Sequence, residues 1–290
     1  MAISGREIFH LKLGGGRQIE LGRRTLIMGI LNVTPDSFSD GGQFAEHETA
    51  IGHAFELISD GADILDIGGE STRPGSDPVS EEAELNRVIP VIRAIRERSD
   101  ILISIDTCKS GVARQALAAG ADIINDVSSL RFDPELADVA AQTGAPVILM
   151  HMLGIPRTMQ KNPVYSSLIS EMIAFLEERI GFAVSKGIDR GQIVIDPGIG
   201  FGKTVDHNLA IIRDLDAFAC IGRPLLLALS RKRFIGSVLD RLEGERELGT
   251  AIANSIGIAA GAHIVRVHDV AFQREAVTMA DAVRGAAIGS

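Results

Sequence analysis

Cysteine is scarce in this chain. Cys108 and Cys220 are the only two in 290 residues, and their number and spacing exclude both a disulfide framework and a cysteine-ligated metal cluster. A reduced, cytoplasmic setting follows as the simple expectation. An excess of basic charge is missing too: 29 Lys and Arg face 38 Asp and Glu, a net charge of -9. That excludes a general nucleic-acid binder, which would present a basic face, but leaves room for a local group of cations and a phosphorylated substrate. No apolar stretch approaches the ~18 residues of a membrane span. The first residues lack the basic, apolar, small-residue order of a secretory signal, so the expectation is a soluble protein. No Pro/Ser/Gly tract and no block of like charge marks a linker. The chain therefore reads as one domain over residues 1–290, with residues 1–24 as an N-terminal extension.

What is present is a repeated pattern. Eight short apolar runs each end in polar, reactive residues: Gly29–Asn32, Asp63–Asp66, Ile103–Asp106, Ile123–Asp126, Val147–His151, Val194–Asp196, Leu225–Lys232 and Ile264–Asp269. Apolar runs of this length between helical stretches are what buried parallel strands look like. The chemistry follows each run and never precedes it. In a (β/α)8 barrel the active site lies at the C-terminal ends of the strands, so the eight clusters would converge on one pocket. The predicted fold is α/β, a (β/α)8 TIM barrel preceded by a short β-hairpin over Ile8–Leu13 and Arg17–Leu21 that would cover the barrel's bottom. An open doubly wound sheet fits less well, because no Gly-x-Gly-x-x-Gly turn follows the first strand.

Helices are expected over Thr49–Asp60, Ser80–Arg98, Lys109–Ala119, Pro134–Gln142, Ser166–Lys186, Asp206–Asp214, Ile235–Leu242, Leu248–Ala260 and Val270–Arg284. The Thr49–Asp60 segment carries Ile51, Ala54, Phe55 and Ile58 near a 3.6-residue period. Gly-Ala-Asp or Gly-Ala-His precedes three strands, at Gly61, Gly120 and Gly261, as if one helix-to-strand turn were reused.

The post-strand segments carry the chemistry. Asn32 can offer a carbonyl to a hard cation or an amide to a phosphate oxygen; the plain alternative is an Asx-turn residue. Gly68–Gly75 supplies backbone freedom, hydroxyls from Ser71 and Thr72, and the bidentate cation Arg73, suited to phosphate or carboxylate; Arg73 could equally sit in a surface ion pair. Asp106, Asn125–Asp126 and Asp196 aim carboxylates and an amide at one pocket, a costly arrangement unless a ligand satisfies them. Paired N–H donors of an amidine-like ring edge would do so. A divalent-metal cage is the weaker rival, since no histidine-rich or dense carboxylate pattern is present. Asp196–Lys203 offers three glycines and Phe201 as a wall, and it is not a Walker loop. Ser230–Lys232 and Arg266–His268 bring cations to the rim where barrels bind phosphate, with Arg266 and His268 on one face of a strand. Lys232 could instead form a Schiff base. Met150 and His151, taken alone, read as interior packing.

Taken together, Asn32–Gly42, Gly68–Gly75, Ser104–Thr107, Asn125–Val127, Met150–Gln160, Asp196–Lys203, Ser230–Lys232 and Arg266–Val270 resemble the dihydropteroate synthases, the sulfonamide-target family of folate biosynthesis. They span nearly the whole chain in the family's order. The resemblance implies a transferase that condenses 6-hydroxymethyl-7,8-dihydropterin pyrophosphate with p-aminobenzoate, with Mg2+ as cofactor, in a homodimer. It implies that Asp106, Asn125, Met150, Asp196, Lys232 and Arg266 bind the pterin. Asn32, Arg266 and His268 would hold the pyrophosphate, with Asn32 also the Mg2+ ligand. Thr72, Arg73, Pro74, Phe201 and Ser230 would form the p-aminobenzoate pocket. Asn32, Arg73, Lys232, Arg266 and His268 would serve the chemistry, and Asp36, Ser37 and Phe38 would belong to a closing loop. Two positions depart from the family: Ala228 where glycine is frequent, and Leu153 where a polar residue is common.

Three other functions compete. A barrel passing a methyl group from methyltetrahydrofolate to a corrinoid protein would share the pterin-reading residues without needing Ser71–Pro74 or the Arg266/His268 pair. A non-catalytic pterin-binding protein would bind without turnover. An aldolase would use Lys232.

Overall fold

The computed structural model describes residues 6–34, 42–71 and 78–285. A hairpin of β1 (Phe9–Lys12) and β2 (Gln18–Leu21) comes first. There follow β3 (Leu26–Asn32), α1 (Gly42–Ser59), β4 (Ile64–Gly68), α2 (Glu81–Arg96), β5 (Leu102–Asp106), α3 (Ser110–Ala119), β6 (Ile123–Asp126) and α4 (Glu135–Thr143). The second half contains β7 (Val147–Met150), α5 (Leu168–Ser185), β8 (Ile193–Asp196), α6 (Val205–Arg213), β9 (Leu226–Leu227), α7 (Arg233–Leu239), α8 (Glu247–Ala259), β10 (Ile264–Val267) and α9 (Val270–Val283). Strands β3 to β10 form one sheet in the order β8-β7-β6-β5-β4-β3-β10-β9. Its two edges meet through a parallel bridge between Ile195 and Leu225, where the Ile195 N–H donates to the Pro224 carbonyl at 2.9 Å. The sheet is thus a (β/α)8 barrel.

The reused turn is real. Gly61, Gly120 and Gly261 all have φ between +98° and +116°, a left-handed helix end that glycine adopts without a Cβ penalty. In each case the glycine N–H reaches the carbonyl three residues back and the next alanine N–H the carbonyl five back. The strand then begins two residues after the alanine, at Ile64, Ile123 and Ile264. Helix starts are capped locally: Ser80 accepts from the Ala83 N–H at 3.2 Å ahead of Glu81, Glu82 and Glu84, and Asp269 accepts from the Phe272 N–H at 2.9 Å. Such a cap is worth about 1 kcal/mol.

Strand parity sorts the side chains. Outward residues such as Ile27, Leu31, Leu65, Ile67, Ile103 and Ile105 pack beneath the helices against Val88, Ile92 and Ile95. Inward residues at the strand starts, Leu26, Ile64, Leu102, Ile123, Ile148, Val194, Leu226 and Ile264, form a second cluster with Phe9, Leu11, Leu13, Ile19 and Leu21 of the hairpin. The hairpin therefore plugs the N-terminal end of the barrel and leaves the opposite end to the segments that follow the strands. Helix α1 begins at Gly42, well ahead of the expected Thr49. The apolar period that marked it starts only at Ile51, because Glu46, His47, Glu48 and Thr49 interrupt it just ahead.

Candidate active site

One pleat above the apolar plug, the inward positions are Met28, Asp66, Ser104, Asn125, Met150, Asp196, Ala228 and Arg266. Apolar residues close the barrel below this layer, while Asp66, Ser104, Asn125, Asp196 and Arg266 make the layer itself largely polar. Strand register then sets neighbours side by side: Asp106 pairs with both Gly68 and Asn125, and Met150 with Asp196.

Arg266 lies at the centre of the polar layer. Its Nε donates to Asp66 Oδ2 at 2.5 Å and its Nη2 to Asp106 Oδ2 at 2.9 Å. Asn125 Nδ2 donates to the same Asp66 oxygen at 3.0 Å. Two buried carboxylates thus share one guanidinium. Burial and the Asp66 charge push the Asp106 carboxyl up to about 8, with Arg266 opposing. Burial alone would lower the Arg266 guanidinium, but Asp66 and Asp106 outweigh it and raise it. Burial also raises Asp196, against the pull of Lys232 and the Gly198 N–H, which donates to Asp196 Oδ1 at 2.6 Å. Lys232 is lowered to about 8 by burial, partly offset by Asp196. Its ammonium binds the Ile199 carbonyl and lies 4.8 Å from the centre of the Phe201 ring.

At the rim, the Ser230 hydroxyl oxygen accepts from the His268 N–H at 3.1 Å and lies 2.9 Å from His268 Nδ1. Arg231, next in the chain, takes φ +56°. Glu247 holds its guanidinium, and Thr250 Oγ1 accepts from its N–H at 3.2 Å. Asn32, exposed at the end of β3, lines a cavity of about 470 Å3 together with Arg231, His268, Asp269, His53 and Glu56. The described residues contain no group of three or more His, Cys, Asp or Glu able to hold a metal. The exposed Asn32 carbonyl in this cavity fits a Mg2+ that would take most of its oxygens from water and a bound pyrophosphate.

Of the residues expected at the site, Asn32, Asp106, Asn125, Met150, Asp196, Phe201, Ser230, Lys232, Arg266 and His268 all fall at this end of the barrel. Asp36, Ser37, Phe38, Thr72, Arg73 and Pro74 lie outside the described residues. Met150 packs with Val127, Met152, Met159, Cys108 and Phe201. His151 is a satisfied interior histidine, with Nδ1 2.9 Å from Lys203 Nζ. Burial and the Lys203 charge lower it to about 2, so the ring is neutral and accepts. Gly69 lies close against helix α2: a Cβ there would meet Val88 Cγ1 at 2.9 Å and Glu84 Cγ at 3.0 Å. Beside it, Lys109 bridges Glu70 and, at 2.5 Å, the fully buried Glu84.

Sequence reasoning passed over Asp66, although strand parity places it inward like Asp106. It also passed over Lys203, Gln160 and Tyr165, whose contacts are made between loops and leave no local signal.

A family model described as "Pterin binding enzyme" matches residues 28–268. The chain is 50% identical over 270 residues to the dihydropteroate synthase of Synechocystis, covering 93% of each. It superposes with a TM-score of 0.88 on the dihydropteroate synthase of Xanthomonas albilineans solved with 4-aminobenzoic acid, at 44% identity over 96% of this chain and 99% of that one. The Yersinia pestis dihydropteroate synthase, solved as a sulfonamide drug complex, gives a TM-score of 0.89 at 42% identity over 96% of this chain and all of the other. With the barrel, the inward polar layer and these likenesses in agreement, the chain belongs to the pterin-binding enzymes, and among them to the dihydropteroate synthases.

Proposed function

We propose that the pocket condenses 6-hydroxymethyl-7,8-dihydropterin pyrophosphate with p-aminobenzoate, giving 7,8-dihydropteroate and pyrophosphate. The observation that carries this reading is the buried Asp66–Arg266–Asp106–Asn125 cluster beside Asp196 and Lys232. It offers acceptors for a ring edge rich in N–H donors and cations for an anionic leaving group. In this reading Asp106, Asn125 and Asp196 bind the pterin edge, Lys232 reaches the ring's other side, and Met150 and Arg266 pack on it. Thr72, Arg73, Pro74, Phe201 and Ser230 receive p-aminobenzoate, and the Asp36–Phe38 loop closes over both. Arg266, His268 and Asn32 face the pyrophosphate. Mg2+, held by Asn32 and the pyrophosphate, would supply charge neutralisation to the leaving group.

The bond from the exocyclic methylene carbon to the pyrophosphate oxygen breaks, and the neutral aniline nitrogen forms the new bond to that carbon and then loses a proton. The cations stabilise the departing oxygens, and the carboxylates facing the pterin stabilise positive charge developing on the methylene, the pattern of a dissociative substitution. Little acid–base work is needed.

The whole chain acts here as one domain, as a homodimer in a reducing cytoplasm. Support for the dimer comes from Leu248, Ile252 and Ile256, exposed at a four-residue spacing on α8, and from Phe272, Met279 and Val283 on the adjoining α9. Support for the compartment comes from the two free cysteines. No helix among the described residues is long and apolar enough to cross a membrane.

Pyrophosphate release from purified protein, with Mg2+ and with or without p-aminobenzoate, tests the reading. Release that requires both substrates, with dihydropteroate formed, is the expected result. Tight pterin binding without release would overturn it in favour of a binding protein or a methyl-transfer barrel.

A further inference from the structure

Between Asp196 and α6 the chain runs Pro197–Gly198–Ile199–Gly200–Phe201–Gly202–Lys203, and all five carbonyls from Gly198 to Gly202 accept from a side chain. Lys203 Nζ donates to the Gly198 carbonyl at 2.8 Å and to the Phe201 carbonyl at 3.0 Å. Lys232 takes the Ile199 carbonyl and Gln160 the Gly200 carbonyl. The Tyr165 hydroxyl donates to the Gly202 carbonyl at 2.9 Å. A surface loop ordinarily leaves such carbonyls to water. Here an ammonium only 3% exposed is drawn inside to hold two of them. Its third hydrogen goes to His151 Nδ1 at 2.9 Å, tying the loop to the end of β7. With the His151 carbonyl at 3.3 Å as a fourth acceptor, every hydrogen of the group finds a partner, which is the condition for burying it at tolerable cost.

What this fixing achieves is read at Phe201. Its carbonyl and the Gly198 carbonyl three residues earlier are held by one nitrogen, so the backbone on both sides of the ring is pinned. The ring itself packs on the methionine cluster of Met150, Met152 and Met159 and faces Lys232. We propose that Lys203 is a positioning residue for the second substrate: through the Gly198 and Phe201 carbonyls it sets the aromatic wall against which p-aminobenzoate packs. The inference rests on the synthase reading above. It assigns Lys203 no contact with either substrate.

The test is steady-state kinetics of the parent protein and Lys203→Met, varying the two substrates separately. KM for p-aminobenzoate is expected to rise about tenfold, since a wall displaced by an ångström is enough to cost that much. KM for the pterin pyrophosphate is expected to rise by no more than about threefold, because Asp196 and Lys232 touch this loop while Arg266, Asp106 and Asn125 are held by bonds outside it. An equal rise in both constants, a fall in kcat alone, or no change overturns the proposal. Should Lys203→Met not fold, Tyr165→Phe removes only the hydroxyl on the Gly202 carbonyl and must move KM for p-aminobenzoate in the same direction, by about two- to threefold. An unmoved constant there overturns the proposal as well. A parent protein that binds pterin and forms no dihydropteroate sinks the synthase reading itself, a result distinct from any of these.

Discussion

Asp66 shows how much one buried carboxylate can organise. Its Oδ2 accepts from Arg266 and Asn125, while Oδ1 has no hydrogen-bond partner among the described residues. It therefore fixes two residues of the inward polar layer and repels the charge on Asp106. Asp66→Asn keeps the shape and removes the charge. kcat/KM for the pterin pyrophosphate should fall about tenfold, the equivalent of about 1.4 kcal/mol, measured by pyrophosphate release. The pH profile gives a second check. On the proposed reading Asp106 accepts from a pterin N–H, most strongly when ionised, so activity rises with pH through its value of about 8. On the same reading Lys232 serves the pterin best as an ammonium, so activity falls as pH rises through its own value, also about 8. The pH profile of kcat/KM, which reports the free enzyme, should peak near pH 8. In Asp66→Asn the rising limb should move to lower pH, because the repulsion that raised Asp106 is gone. A rising limb that stays in place would show that Asp106 does not govern it.

At the scale of elements, a period of two explains the barrel and a change of backbone hand explains its loops. Gly198 has φ +64°, and a Cβ there would run into the His151 carbonyl oxygen. Gly198→Ala should therefore cost at least about 2–3 kcal/mol from strain and overlap together, seen as a lower midpoint in urea unfolding with an unchanged slope. An unaltered midpoint would mean that the loop has room to shift. Most of this level was legible in the sequence. Apolar runs ending in Asp106, Asn125, Asp196 and Arg266 revealed both the strands and the end that carries the chemistry, because burial and function alternate along one pleat. The glycine turns at 61, 120 and 261 revealed the repeat. The Lys203–His151 pairing was not legible, since 52 residues separate its members and neither position has a periodic neighbour to betray it. Strand β9 is only Leu226–Leu227, although the apolar run extends from Leu225 to Leu229. Burial made that run apolar, and hydrogen bonding along the barrel seam is shorter than the burial.

The molecule as a whole is closed twice, once around the barrel and once beneath it. The lower closure joins the chain's two ends. Asp281 on α9 accepts from Arg6 at 2.7 Å and from the Thr25 N–H at 2.5 Å, and His263 sits between the hairpin and β10. The His263 ring meets Phe9 edge-on at 5.3 Å, and its Nδ1 accepts from the Leu225 N–H at 3.2 Å. Burial, with Arg6 nearby, lowers His263 to about 4. The sign follows directly. The unfolded chain takes up a proton near the ordinary histidine value of about 6.5 and the folded chain does not. The contribution of His263 is therefore complete above that pH and is lost as pH falls toward 4. Asp106, Asp126 and Asp196, whose carboxyls are raised, slope the other way, so the total stability curve does not isolate the histidine. The difference between parent and His263→Asn does, since asparagine keeps an acceptor for the Leu225 N–H and does not titrate. Between about pH 6.5 and about pH 5 the parent should lose about 1.6 kcal/mol relative to the variant, the linkage of a group that is half protonated in the unfolded chain at the upper pH and almost fully so at the lower. Urea unfolding at both pH values measures it, and a difference that does not change with pH would mean that His263 is protonated inside the fold.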